Sequence, residues 1–347
     1  MRDNLTFSPA EELLEWYDAH HRTLPWRISP AERQAGAEPD PYRIWLSEVM
    51  LQQTTVAAVG AYFEKFVTLW PRVEDLAAAP AEDVMAAWAG LGYYSRARNL
   101  HACAKEVARL GAFPRDEDGL RALPGIGPYT SAAIAAIAFD RPATVMDGNV
   151  ERVMARRFAV TDPLPGVKEV LRAYAASLTP SLRPGDYAQA VMDLGATICT
   201  PRNPACGICP WMMACEGRAQ GIAPSLPRKA PKKAKPIRRG WAFAAFRADR
   251  VFAVRRPDKG LLGGMLALPT TDWAETPGDP AVPFAAGWRE VGEIRHTFTH
   301  FHLILQVYRT DLEDDPALDG EFRAVDAALA AMPTVFAKAL RQAKKAG

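Results

Sequence analysis

Residues 123–130 read LPGIGPYT, a proline- and glycine-rich turn between two helical patterns. Gly125 and Gly127 permit positive φ and leave backbone N–H groups bare at the start of the second helix, where a phosphate can approach. Alone, such a stretch is an ordinary turn between helices. Two downstream features give it weight: an aspartate in VMDGNV (145–150) and a cysteine run, CTPRNPACGICPWMMAC (199–215).

Around this hairpin the pattern is helical. AEELLEWYDAHH, PYRIWLSEVMLQQTTVAAVGAYFEKFVTLW and SRARNLHACAKEVARL place apolar residues at i, i+3, i+4 and i+7. Residues 223–240, APSLPRKAPKKAKPIRRG, carry seven basic and no acidic side chains with four prolines, and read as an extended, charged linker. Beyond it, WAFAAFRADRVFAVRR and THFHLILQVYRTDL read as strands with turns at RADR and PDKG, and EFRAVDAALAAM as a helix. The expected organisation is an all-α domain (1–222), the linker (223–240) and a smaller α+β domain (241–347).

Composition sets the limits. With 49% hydrophobic and 24% charged residues among 347, the chain is globular, not disordered, and long enough for two domains. It has no run of 18 apolar residues, so no membrane span is expected. The N-terminal residues lack the apolar segment of a signal peptide. Five cysteines, four of them crowded into 17 residues, indicate metal and a reducing compartment, hence a cytoplasmic chain (nucleoid-associated, if bacterial). Outside the linker the charge is near balance, so any nucleic-acid binding must come from local geometry or from the linker itself.

Cys199, Cys206, Cys209 and Cys215 have the spacing C-x6-C-x2-C-x5-C. Pro201 and Pro210 keep the loop from forming a helix, so the sulfurs can turn inward. A cubane iron–sulfur cluster suits four cysteines on one loop; zinc and unligated thiols are the other readings. Cys103 falls inside an amphipathic helix and reads as core.

Two carboxylates stand out. Glu48 shares a helical stripe with Ile44, Leu51 and Thr55, in a helix that starts after Asp40 with Pro41 in its first turn. A glutamate on an inward face is either salt-bridged or has a raised pKa, which would make it a usable general acid. Asp147 precedes a helix and reads as a cap whose carboxylate stays ionised. One protonated and one ionised carboxyl is the pair that glycosidic-bond cleavage needs.

Taken together, LPGIGPYT, MDGNV and the cysteine loop resemble the helix-hairpin-helix DNA glycosylases of the endonuclease III type. LPWR (24–27), WLSEVMLQQT (45–54), GLGYYSRARNL (90–100) and MDGNVERVMAR (146–156) resemble its MutY-type, adenine-releasing branch. KGLLGGMLALP (259–269) and RHTFTHFHLIL (295–305) resemble that branch's Nudix-like C-terminal domain, without the Nudix hydrolase box. The resemblance implies a monomer that acts on duplex DNA containing adenine opposite 8-oxoguanine or guanine. It implies a [4Fe–4S] cluster on Cys199, Cys206, Cys209 and Cys215 that supports a DNA-contacting loop. Glu48 would protonate adenine, Asp147 would stabilise the sugar cation, and Asn149 would orient water or a carboxylate. Arg22, Leu24, Trp26, Arg27 and Gln189 would surround the extruded base. Gln53 and Tyr93, with Thr54 and Leu91 beside them, would insert at the lesion pair. Phe298, Thr299 and His300 would read 8-oxoguanine, and Gly125 and Gly127 would meet phosphate. Relatives that also cleave the strand carry a lysine where this chain has Tyr129. Tyrosine cannot form an imine, so a monofunctional enzyme is implied. ISPAERQAGAEPD (28–40) is longer than the family's usual join and reads as a polar surface loop.

Overall fold

The computed structural model describes residues 8–231, 234–257, 260–279 and 281–346. The seven N-terminal residues, Lys232 and Lys233 of the linker, and Asp258 and Lys259 of the PDKG turn lie outside them. The chain divides into two compact units, Met1–Pro231 and Lys232–Gly347. Of the stretch read as a linker, residues up to Pro231 stay with the first unit. There Leu164 accepts from Ala230 N and donates to Arg228 O, both at 2.9 Å. Ile237 already opens the first strand of the second unit. Among the described residues, no helix is long and apolar enough to cross a membrane.

The first unit is helical, as expected. Its ends are set by local chemistry. Ser8 and Glu11 form a capping box at the start of Pro9–His20, which buries Leu13, Leu14 and Tyr17. Asp40 accepts from Tyr42 N at 2.9 Å and starts Pro41–Leu51. The continuous apolar period over residues 41–70 does not make one helix. The chain breaks at Gln52–Thr55, where Gln53 adopts φ 59°, and Val56–Leu69 follows, capped by Thr55. The break contains neither proline nor glycine. It is held from outside by the buried Arg96, whose Nη1 donates to the Val49 and Met50 carbonyls at 3.0 and 2.9 Å.

Pro128–Phe139 is the central helix, buried along nearly its whole length. Its alanines let Pro41–Leu51 and Pro184–Thr197 approach on either side. A Cβ on Gly185 would stand 2.5 Å from the Ala136 carbonyl oxygen. The hairpin leads into this helix from Glu117–Arg121. Gly125 has φ 76°, and a Cβ there would stand 2.6 Å from Asn99 Cβ, so glycine is required twice over. Gly127 occupies the N-cap position.

The second unit is α+β. Its sheet runs β3(Leu266–Ala267)–β2(Arg250–Arg255)–β1(Ile237–Arg247)–β5(His302–Asp311)–β4(Arg289–Thr297), and β6(Glu321–Ala324) pairs with β2. β1 and β5 are parallel, from Ile237↔His302 to Phe246↔Asp311. β4 and β5 form an antiparallel hairpin closed at Thr297↔His302. Two parts of the sequence reading change here. Glu321–Ala324 is strand, drawn into extended form by pairing with β2, so the helix begins only at Val325. Arg289–Thr297 is a strand that periodicity could not reveal, because Ile294 is its only buried residue. Thr334–Lys345, a helix absent from the sequence reading, covers the sheet with Val335, Phe336, Ala339, Leu340 and Ala343.

Arg96 offers a test of how the helix break is held. Arg96→Met keeps the aliphatic stem but strands four backbone carbonyls of residues 49, 50, 91 and 92. Urea unfolding should show a loss of roughly 2–4 kcal/mol, the range for removing a charged donor from buried acceptors. A loss below ~0.5 kcal/mol would mean that the break holds itself.

Candidate active site

A cavity of about 450 Å³ opens in the first unit where Pro41–Leu51, Pro128–Phe139, Pro184–Thr197 and the start of Gly148–Arg157 converge with residues 22–27. Glu48 lines it with Ile44 and Leu51, as the stripe predicts, whereas Thr55 belongs to the next helix. Glu48 is buried, with 7% exposed, and has no salt bridge among the described residues. Burial pushes its carboxyl up to about 7; the Tyr129 hydroxyl and the Arg27 charge hold it down, and Asp147 adds a smaller upward push.

Asp147 lines the same cavity as the cap of Gly148–Arg157. Its Oδ1 accepts from Asn149 N (2.9 Å) and Val150 N (2.8 Å), and its Oδ2 accepts from Asn149 Nδ2 (2.8 Å). Capping alone does not govern it. Burial raises this carboxyl above its ordinary value, while the three donors favour the ionised form. Asn149 thus orients a carboxylate. Its own Oδ1 accepts from Arg152 (2.8 Å), which also donates to the Cys199 carbonyl (2.7 Å) and the Gly195 carbonyl (2.7 Å).

Arg22, Leu24, Trp26, Arg27, Gln189, Gln53, Thr54 and Tyr129 share the cavity with the carboxylates. Trp26 satisfies two readings at once: it meets Phe63 edge-on at 5.3 Å within the core and also lines the cavity. The Tyr129 hydroxyl lies 3.7 Å from Met192 Sδ. Gln189 is buried and donates weakly to the Gly185 carbonyl at 3.4 Å. Two participants escaped the sequence reading. Gln52 lines the cavity and donates to Thr130 Oγ1 at 3.3 Å. Asp193, fully buried, holds both Arg22 and Arg27. Its i+4 spacing from Gln189 was the one available signal.

The other assigned residues lie outside the cavity. Leu91 is buried and Tyr93 exposed, on the loop before Ser95–Leu110; Arg96 ties this loop to Thr54 through Thr54 Oγ1 (3.2 Å) and the Leu91 carbonyl (3.3 Å). Tyr93 has φ 49°, so it and Gln53 are both held in a left-handed conformation that non-glycine residues seldom adopt. Gly125 and Gly127 sit at the hairpin. Phe298, Thr299 and His300 belong to the second unit, in the β4–β5 turn. Phe298 N donates to Phe301 O at 2.9 Å, and both rings turn inward to the Trp273 ring, leaving Thr299 and His300 at the tip.

Cys199, Cys206, Cys209 and Cys215 line one small hollow of about 30 Å³, closed on one side by Arg156. Among the described residues, no three of their kind converge tightly enough for a single metal ion. Four thiols around a hollow, but not around a point, fit a multi-iron cubane better than zinc. Arg156 donates to Cys199 Sγ at 3.3 Å and to the Thr200 and Pro201 carbonyls, a donor set suited to an anionic cluster. Cys103 is core.

Fold and site together define a helix-hairpin-helix base-excision glycosylase. Residues 46–179 match the HhH-GPD superfamily of base excision DNA repair proteins, 199–212 the iron–sulfur binding domain of endonuclease III, and 241–342 the NUDIX domain. The adenine DNA glycosylase of Mus musculus is 37% identical over 88% of this chain and 71% of its own length. That of Mycolicibacterium smegmatis is 40% identical over 63% of this chain and 72% of its own. A thermostable thymine-DNA glycosylase structure aligns with TM-score 0.53 and 28% identity, covering 61% of this chain and 95% of its own. The chain belongs to the adenine DNA glycosylase family. Its cofactor is a [4Fe–4S] cluster, and the four cysteines are placed to hold it.

The burial of Glu48 predicts a stability effect with a definite sign. Its folded pKa lies above the unfolded value of about 4.5, so burial costs nothing below pH 4.5 and destabilises increasingly as pH rises through 7. Glu48→Gln should therefore be more stable than the native protein above pH 7, by up to about 3 kcal/mol, with the gain vanishing near pH 4. Urea unfolding at pH 4, 6 and 8 checks this; a pH-independent difference would contradict a protonatable buried carboxyl.

Proposed function

We propose that this chain is a monofunctional adenine DNA glycosylase of base excision repair, hydrolysing the N-glycosidic bond of adenine mispaired with 8-oxoguanine or guanine. It acts as a monomer on duplex DNA. The observation that carries the reading is the convergence of two unlike carboxylates, Glu48 and Asp147, in a cavity that no described lysine lines. An adenine must leave the stack to enter such a cavity. There Trp26 and Leu24 offer it apolar faces, and Gln189 and Arg22 offer it polar edges.

Cleavage needs a proton on the departing base and a negative charge beside the sugar. Glu48, with a pKa near 7, gives its proton to adenine N7. The C1′–N9 electron pair leaves with the base, and Asp147 faces the resulting oxocarbenium-like sugar. Water adds to C1′. Tyr129 packs beside Glu48 where a strand-cleaving relative would carry its amine. The cluster, when bound, orders the 199–215 loop against DNA and takes no part in base chemistry. Gln53 and Tyr93 enter the duplex at the mispair. Phe298, Thr299 and His300 read the opposite base: 8-oxoguanine presents an N7–H donor where guanine N7 only accepts, so the Thr299 hydroxyl or carbonyl distinguishes them.

Adenine release from duplexes with A opposite 8-oxoguanine, G, C or T tests this directly. The native protein should act on the first two and leave an intact abasic strand. Glu48→Gln should bind but lose about 100-fold or more in single-turnover rate, as for a lost general acid. Equal release from all four duplexes, or a cleaved strand, would refute the reading.

Thr299→Ala with His300→Ala should narrow the preference for 8-oxoguanine over G by roughly 5- to 150-fold, equivalent to about 1–3 kcal/mol of discriminating contact. An unchanged ratio would leave the Thr299 carbonyl as the acceptor, and a ratio still unchanged after removal of residues 241–347 would place lesion reading elsewhere.

A further inference from the structure

The segment 22–27 forms one wall of the cavity with hardly any regular structure of its own; a single turn, Arg27 N to Leu24 O at 3.0 Å, is its internal backbone bond. Two side chains from other elements fix it: Arg43 donates to the Pro25 carbonyl at 2.9 Å, and Asp193 holds both Arg22 and Arg27. Asp193, on Pro184–Thr197 and 0% exposed, accepts from Arg22 N (3.0 Å), Arg22 Nε (2.6 Å) and Arg27 Nη1 (2.8 Å). Asp193 does not line the cavity. Both arginines that it holds do.

Arg27 also lies close enough to Glu48 to act on it electrostatically. An arginine beside a buried carboxyl normally pairs with it and keeps it ionised. Such a pair would leave no proton to donate at neutral pH. Here the Arg27 guanidinium donates to Asp193, and Glu48 has no salt bridge among the described residues. We propose that Asp193 is a positioning residue of the glycosylase reaction: it anchors Arg22 and Arg27 as the base-facing wall and keeps the Arg27 guanidinium from pairing with Glu48. This rests on the assignment of Glu48 as the general acid.

The groups that face Glu48 are Tyr129 on Pro128–Phe139, Arg27 on the 22–27 segment and Asp147 at the cap of Gly148–Arg157. Removing the Asp193 charge leaves Arg27 without its counter-ion, which stabilises ionised Glu48 and lowers its pKa. Removing the Arg27 charge does the reverse.

The experiment is the pH profile of single-turnover adenine release by the cluster-loaded full chain, on a duplex with A opposite 8-oxoguanine. The rate depends on protonated Glu48, so it falls as pH rises through that pKa. Asp193→Asn should move the falling limb down by roughly one pH unit and Arg27→Gln should move it up by a similar amount, typical of a charge partner a few ångströms away. The maximal rate should fall by up to about 100-fold in Asp193→Asn, as the wall loses its anchor. If Asp193→Asn does not fold, the double variant Arg27→Gln/Asp193→Asn removes the whole buried pair, and its limb should lie above the native one. Limbs that coincide across the variants would overturn the proposal. No adenine release by the native protein would instead overturn the function on which it rests.

Discussion

A carboxyl group kept from water and from a salt bridge is the constraint around which the helical unit is built. Glu48 would ionise freely on a surface or beside a free arginine. Its near-neutral pKa requires that the helices carrying and covering it exclude water without placing a counter-ion against it. The alanine-rich Pro128–Phe139 helix makes this possible. Small side chains let its neighbours close over the cavity floor, and Gly185 permits a crossing that any side chain would block. The cost of holding Glu48 there is stability above pH 7, the common exchange of stability for chemistry at active sites.

Asp147 is placed by a different device. It caps the helix whose other end carries Arg156, which reaches Cys199. Between them, Asn149 orients the Asp147 carboxylate and Arg152 links Asn149 to the Cys199 backbone. The helix therefore fixes the cysteine loop and the Asp147 carboxylate by one continuous set of hydrogen bonds. A Cβ on Gly195 would fall 2.7 Å from Asn149 Cβ, so even the neighbouring helix is cut to fit this chain of donors. Disorder in the cysteine loop would be felt first at the Arg152 anchor, and then at the orientation of Asp147.

The sequence was most legible where chemistry is local. The caps at Ser8, Asp40 and Asp147, the hairpin glycines and the cysteine spacing each depend on residues a few positions apart. The inward stripe of Glu48 was legible for the same reason. What could not be read depends on partners far along the chain. The break after Leu51 is stabilised by Arg96, some 45 residues later. Asp193 meets Arg22 across 171 positions, and its one local signal, the i+4 spacing from Gln189, does not identify Arg22 as its partner. β4 and β6 are strands because β5 and β2 pair with them, not because their side chains alternate. The pKa of Asp147 also depends on burial, which a capping motif does not reveal.

The two strained residues share an anchor, and this explains a feature of GLGYYSRARNL that resemblance alone leaves unexplained. Gln53 and Tyr93 both sit at positive φ, at a cost of order 1–3 kcal/mol each. Such conformations persist only when their surroundings over-determine them. Arg96 supplies that surrounding for both. It donates to carbonyls at the end of the Glu48 helix and to Thr54 on one side, and to the Leu91 and Gly92 carbonyls on the other. Its guanidinium lies over the Tyr93 ring at 5.4 Å and over Trp88 at 5.2 Å. One buried cation thus holds two loops in conformations that neither would keep alone. The same guanidinium fixes the last turn of the helix that carries Glu48. A displacement of either loop must therefore act on a hydrogen-bond set that ends one residue from Glu48, which joins any movement of Gln53 and Tyr93 to the geometry of the cavity.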